Sequence, residues 1–261
     1  MSSTVHTERV GDILVVALDR PAAFNAMNED MLEAIGSALD DAERTPEVRG
    51  LLLIGEGRAF AAGADVGELR GLSRAEMLDH PMPRLYARLR STPLATVAAV
   101  HGFALGGGFE LALACDLRVA GESAEFGLPE LSLGIVPGAG GTQMLARSVG
   151  ESRALDLILS GKRIRARQAL DWGLVTAVHP DAELRDAAYA ALERVLQHSA
   201  ESVATAKRLI RLALGDDRDG HRAELEAQAE LHAGVDAQEG MGAFLERRSP
   251  HFAHGRPAGT R

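Results

Sequence analysis

Two glutamates in glycine-bearing surroundings carry most of the chemistry this sequence offers. Glu110 follows Gly106-Gly107-Gly108, near the start of an apolar segment of helical length that runs on to Cys115. Three successive glycines let a backbone approach a ligand closely. N–H groups at a helix start, with their partial positive charge, suit an oxygen anion. One turn therefore offers hydrogen-bond donors and a base together. Glu130 sits in Phe126-Gly127-Leu128-Pro129-Glu130, among apolar neighbours. An ionised carboxylate loses hydration in such a setting, and its pKa tends to rise. Two further stretches bring backbone donors. The loop from Arg58 to Leu69 is built of small residues up to Asp65, and Asp65 and Glu68 have the spacing of a helix-capping box. Pro137-Gly138-Ala139-Gly140-Gly141-Thr142 has the look of a phosphate cradle, but it lacks the Lys-Ser/Thr ending of a P-loop and the G-x-G-x-x-G spacing, so it is a weak nucleotide signature.

Composition removes several other chemistries. None of the nine histidines has the His-x-x-x-His spacing of a metal site, and none stands beside a nucleophilic Ser or Cys with a third orienting group. No metal is expected. His101, just before the glycine turn, reads as structural for want of a partner. A net charge of −9 repels a phosphate backbone, which argues against nucleic-acid binding. No apolar run has the length that spans a bilayer, and no basic segment leads into an apolar one at the N-terminus, so no membrane association is expected. The lone cysteine, Cys115, lies in an apolar run and fits a reducing compartment. The expected location is cytoplasmic.

The elements that must position these residues follow from hydrophobic patterning. Residues 5–19 read as a hairpin turning near Gly11-Asp12. Asn28 caps a helix whose apolar positions Met31, Leu32, Ile35 and Leu39 recur at helical spacing, and residues 51–54 form a buried strand. Strand, helix, strand implies a right-handed crossover onto a mostly parallel sheet, with ligands beyond the carboxyl ends of its strands. A helix over 85–90, strands over 94–100 and 116–120, helices over 143–149, 152–160 and 166–172, and a strand over 175–178 complete an α/β core. Leu184, Ala188, Leu192 and Val195 form one packing stripe, and Val203, Leu209, Ile210 and Leu214 another. From about Ser199 the chain reads as an appended helical layer, and the tail from His254 as disordered.

In combination and in order, Ala59-Phe60-Ala61-Ala62-Gly63-Ala64-Asp65, His101 through Glu110, and Phe126 through Thr142 resemble the enoyl-CoA hydratase (crotonase) superfamily over nearly the whole chain. The resemblance implies a crotonase-like spiral of β-β-α turns over residues 1–198, which holds the active site. A helical trimerisation region over 199–261 is implied as well, giving a homotrimer or homohexamer. It places an oxyanion hole on the backbone N–H groups of Ala64 and Gly107 and the catalytic pair on Glu110 and Glu130. Ala62, Asp65, Val66, Gly67 and Gly138 are the implied substrate contacts. The substrate is an acyl-CoA thioester, so coenzyme A arrives as part of it and no separate cofactor is expected.

Two departures stand out. Gly67 occupies a position where many relatives carry Lys, and Leu128 one where Gln is common. Arg58 is a candidate to supply the missing charge, and Phe244 and Arg247 are candidates on the C-terminal helix. Possession of both carboxylates favours hydration of a 2-enoyl-CoA. The alternatives are an enoyl-CoA isomerase, which needs only the group at Glu130, and a non-catalytic acyl-CoA-binding protein, which gains little from burying two like charges together.

Overall fold

The first alternating stretch forms the antiparallel hairpin that its pattern implies, β1 (Val5–Val10) and β2 (Ile13–Leu18), turning at Gly11 with φ +59°. α1 (Glu29–Arg44) begins where the Asn28 side chain accepts from Met31 N at 3.2 Å, and its buried face is Met31, Leu32, Ile35 and Leu39. It returns the chain to β3 (Gly50–Gly55), parallel to β2. The computed structural model describes residues 4–213 and 218–249.

From β3 onward one unit repeats three times. β3 is followed by the short β4 (Ala59–Ala61), β5 (Ala95–Val100) by β6 (Phe103–Leu105), and β7 (Leu117–Gly121) by β8 (Glu125–Gly127). Each long strand joins a six-stranded sheet of order β1-β2-β3-β5-β7-β10, where β10 is Ala177–His179. Each short strand joins a four-stranded sheet of order β4-β6-β8-β9, where β9 is Ile164–Arg165. Helices fill the returns. α2 (Val66–Leu69), α3 (Arg74–Leu78) and α4 (Pro81–Ser91) follow β4; α5 (Gly107–Ala114) follows β6; α6 (Gly141–Val149) and α7 (Glu151–Ser160) follow β8. α8 (Ala166–Asp171), α9 (Leu184–Leu196), α10 (Ala200–Ala213), α11 (Arg218–His232) and α12 (Val235–Leu245) complete the chain. The β-β-α spiral implied by the resemblance is thus present.

The long strands read as continuous apolar runs because both faces of their sheet are covered. One face packs on α1, α4 and α5, with Val16, Leu51, Leu53, Ala98 and Val100 in a single buried cluster with Ile35, Leu89 and Phe109. The other carries Leu52, Val97 and Val119 against Leu184, Ala188 and Leu192 of α9. The first packing stripe is therefore buried as its spacing implies. The second is divided: Val203 packs partly buried against the same α9 cluster, whereas Leu209 and Ile210 of α10 are 50% and 61% exposed in the single chain, and Leu214 lies outside the described residues, as does the tail from His254. Among the described residues no helix is long and apolar enough to cross a membrane.

Polar side chains fix several boundaries that periodicity misplaces. Asp116, at the expected start of a strand, instead accepts from Thr96 N and Thr96 Oγ1 and pairs with Lys207 and Arg211 at 2.7 Å each, so β7 starts one residue later and α10 is tied to the sheet. The expected capping box at Asp65 and Glu68 does not form. Asp65 N donates to Met27 O, its Oδ1 accepts from Gly67 N, its Oδ2 faces Arg20, and the Glu68 carboxylate accepts from Glu29 N. A capping box forms at Ser73 and Glu76 instead.

Asn25 closes the bend between β3 and β4. It is fully buried with φ +56°; its Nδ2 donates to the carbonyls of Glu56, Ala59 and Phe60, and its Oδ1 accepts from Arg20 N. Asn tolerates the left-handed region better than most residues, and here its amide satisfies carbonyls that the bend turns away from both sheets. Asn25→Ala should cost about 2–4 kcal/mol, by leaving buried carbonyls unsatisfied and straining the backbone, and shift the urea midpoint accordingly. Asn25→Asp should do no better, since it aims a carboxylate at the same oxygens.

Candidate active site

The small sheet decides where the site lies. β4, β6 and β8 are parallel neighbours, and each ends on one of the loops singled out above: Ala62-Gly63-Ala64 after β4, Gly106-Gly107 after β6, and Leu128-Pro129-Glu130 after β8. Three carboxyl ends side by side form the place where parallel folds bind ligands. A cavity of about 440 Å³ opens there, lined by Ala62, Ala64, Val66, Gly107, Glu110, Glu130, Gly138 and Phe244 among others.

The two amides are exposed to the cavity for separate local reasons. Met27 bridges to Ala64 in parallel fashion, using Gly63 O (2.8 Å) and Asp65 N (2.9 Å), which turns the intervening Ala64 N–H to the opposite side. Gly63, at φ +112°, makes that path possible. Gly107 is the first residue of α5, and a first-turn N–H has no acceptor within its own helix. Among the described residues neither amide donates a backbone hydrogen bond. The loops are closely apposed: a Cβ placed on Gly107 would lie 3.5 Å from the Ala64 nitrogen. Behind them, the buried Tyr86 hydroxyl donates to Gly107 O at 3.0 Å and holds the turn in place. Burial first, then the nearby Glu110 and Cys115, raise the Tyr86 phenol well above its ordinary pKa, so it stays a donor.

Glu110 is 2% exposed, and its Oε1 accepts from Ala139 N and Gly141 N, both at 2.8 Å. The glycine-rich stretch 137–142 therefore cradles the protein's own carboxylate. Because Gly141 opens α6, Glu110 faces the positive end of that helix, and two charge-assisted bonds favour its ionised form. Any Cβ at Gly141 would fall 2.8 Å from Glu110 Oε1, so the approach requires glycine. Glu130 begins a 3-10 turn, Glu130–Leu133, and is 9% exposed. A Cβ on Gly106 would lie 3.2 Å from its Oε1, which puts this carboxylate against the Gly107 amide loop. Two acids and two donors thus border one cavity.

The remaining expected residues divide. Ala62, Val66, Gly138 and Phe244 line the cavity, whereas Asp65, Gly67, Arg58 and Arg247 do not. Asp65 and Gly67 are consumed in fixing the loop, through Arg20 and the Gly67 N–H to Asp65 Oδ1 bond. Arg247 lies just beyond α12 at φ +56°. Arg58 stacks 4.9 Å from the centre of the Phe24 ring, and Phe24 does line the cavity. Arg163, which sequence reading passed over, lines it as well and stacks 5.2 Å from the Phe103 ring, itself edge-on to Phe24 at 6.1 Å. Arg163, Phe103 and Phe24 thus share part of the lining, with Arg58 stacked on the Phe24 ring. Cys115 is buried, its thiol pushed up to about 12 by burial. His101, expected to lack a partner, has one: its Nε2 lies within 3.1 Å of Gly57 O.

Comparison with known proteins gives the same picture. A family model described as enoyl-CoA hydratase/isomerase matches residues 8–255. The 2,3-dehydroadipyl-CoA hydratase of Escherichia coli K12 is 42% identical, covering 92% of this chain and 94% of its own. A probable enoyl-CoA hydratase of Mycobacterium tuberculosis is 36% identical, covering 96% and 98%. Among solved structures, the carnitinyl-CoA hydratase from Mycobacterium avium superposes with a TM-score of 0.87 at 36% identity, covering 97% of this chain and 99% of that one. An enoyl-CoA hydratase from Mycobacterium avium subsp. paratuberculosis gives 0.86 at 32% identity, covering 96% and 98%.

Proposed function

The chain belongs to the enoyl-CoA hydratase/isomerase family, and from that premise we propose that it adds water across the 2,3 double bond of a 2-enoyl-CoA thioester to give a 3-hydroxyacyl-CoA. The observation that carries this reading is the placement of Glu110 and Glu130 on one cavity with the Ala64 and Gly107 amides. Glu110, held ionised, takes a proton from water as its oxygen bonds to C3. The π electrons move toward the thioester, and the charge that develops on its oxygen is received by the two N–H groups, each such donor being worth roughly 3–4 kcal/mol. Glu130 delivers a proton to C2 and closes the addition. The proton gained by one carboxylate and the proton lost by the other balance over the cycle.

The residues at the mouth fit the rest of the substrate. With Gly67 in place of a lysine, Arg58 beside Phe24, and Arg163 beside Phe103 and 3.5 Å from the Glu125 carboxylate, are the guanidinium groups that would meet the phosphates of coenzyme A. Assembly as a homotrimer or homohexamer is supported by the exposed Leu209 and Ile210 of α10 and Leu231 and Val235 of the next two helices, which a second copy would cover. A reduced, buried Cys115 fits a cytoplasmic setting.

Purified protein mixed with crotonyl-CoA should bleach the conjugated enoyl absorbance with no added metal or redox cofactor. Bleaching that fails here, together with conversion of a 3-enoyl-CoA to its 2-enoyl isomer, would mark an isomerase. Binding without turnover of either would mark a carrier.

A further inference from the structure

One stretch of the cavity wall is not used by the hydration chemistry. Leu69, Met77, Met82 and Ile135 make it apolar, and one titratable side chain, His80, interrupts them. His80 is the N-cap of α4, and its Nδ1 accepts from Met82 N at 3.3 Å. A neutral imidazole that accepts at Nδ1 carries its proton at Nε2, and among the described residues nothing takes that donor. Burial lowers the pKa of His80, helped by Arg84 and His232, so the neutral ring prevails. His232, fully buried behind the same wall, directs Nε2 to Leu69 O, and its Nδ1 has no partner among the described residues. A half-buried N–H donor that exchanges water for hydrocarbon goes unsatisfied at a cost.

We propose that His80 makes this enzyme selective for 2-enoyl-CoA thioesters whose acyl chain ends in an uncharged oxygen group, a hydroxyl or a carbonyl, received by the His80 Nε2–H. This rests on the hydratase reading. A simple alkyl chain leaves the donor unsatisfied at that wall. A terminal carboxylate meets an imidazole that resists protonation there.

The test compares kcat/KM for a series from crotonyl-CoA to 2-decenoyl-CoA, each length as the plain alkyl chain, the terminal alcohol, the methyl ketone and the terminal carboxylate. The native enzyme should prefer the alcohol or ketone over the alkyl chain by about ten-fold at the length that reaches His80. His80→Asp keeps an N-cap acceptor for Met82 N–H and carries no donor, and His80→Leu removes both acceptor and donor. In both variants the preference should fall to near unity, with the melting temperature held in His80→Asp and lowered by the lost cap in His80→Leu. A preference for the carboxylate or the alkyl chain at every length, or an oxygen preference that survives both substitutions, overturns the proposal. If the native enzyme hydrates no member of the series, it is the hydratase reading itself that fails.

Discussion

Glu110→Gln lowers kcat for hydration of crotonyl-CoA by about a thousand-fold and leaves KM within a few-fold, the size of effect expected when a general base is lost with binding intact. Geometry makes the substitution clean. The carbonyl oxygen of Gln accepts the Ala139 and Gly141 N–H groups as Glu110 Oε1 does, so the side chain stays in place while its other terminus, now an amide, has no basicity to offer water. Circular dichroism and the melting temperature should match those of the native protein, since the exchange removes a buried charge without removing its hydrogen bonds. A variant that turns over at the native rate would exclude base catalysis by this carboxylate. Glu130→Gln tests the partner by the same logic, and loss in both places the chemistry on the pair.

Gly107→Pro is expected to cost about a hundred- to a thousand-fold in kcat, the effect of deleting one preorganised donor to a developing oxyanion. Proline suits the first position of a helix, and Gly107 holds that position in α5, so the N–H is deleted where the fold tolerates it. Gly107→Ala is the control. Its added Cβ would lie 3.0 Å from Met82 Sδ, the flexible end of a side chain that moves readily, and its N–H remains. Steady-state kinetics should put Gly107→Ala within about ten-fold of the native enzyme and Gly107→Pro far below it. Equal losses in the two variants would show that crowding, and not the missing donor, sets the rate.

Sequence reading found the parts that announce themselves locally. Asn28 and its i, i+3, i+4 apolar partners gave α1 and its cap, Gly11-Asp12 gave the hairpin, and the buried long strands showed as unbroken apolar runs. The second sheet was invisible to patterning. β4, β6 and β8 are three residues each, too short to display a period, and the resemblance alone implied them. Glu110 and Glu130 were legible by type and setting, but their meeting depends on that sheet, because it is the parallel pairing of β6 with β8 that brings the two loops alongside.

The misreadings have the same origin. Asp65 caps α2 through its Gly67 N–H bond, as its type and place imply, but the reciprocal half of the box is missing because Glu68 turns to Glu29 N and the Asp65 N–H goes to Met27 O. The stretch 137–142 looked like a cradle for a phosphate and is a cradle for Glu110. Leu209 and Ile210 share a packing stripe with Val203, and within one chain they are left exposed, as a face that another copy would cover. Arg163 and His80 carried no sequence signal at all, and only the closing of the spiral brings them to one cavity.

A crystal structure of the Glu110→Gln variant with crotonyl-CoA bound would examine the convergence itself. The thioester oxygen should lie within hydrogen-bonding distance of both the Ala64 and Gly107 nitrogens, with residue 110 facing C3 and Glu130 facing C2. A thioester oxygen directed away from either amide, or both carboxyl positions on the same carbon, would contradict the account.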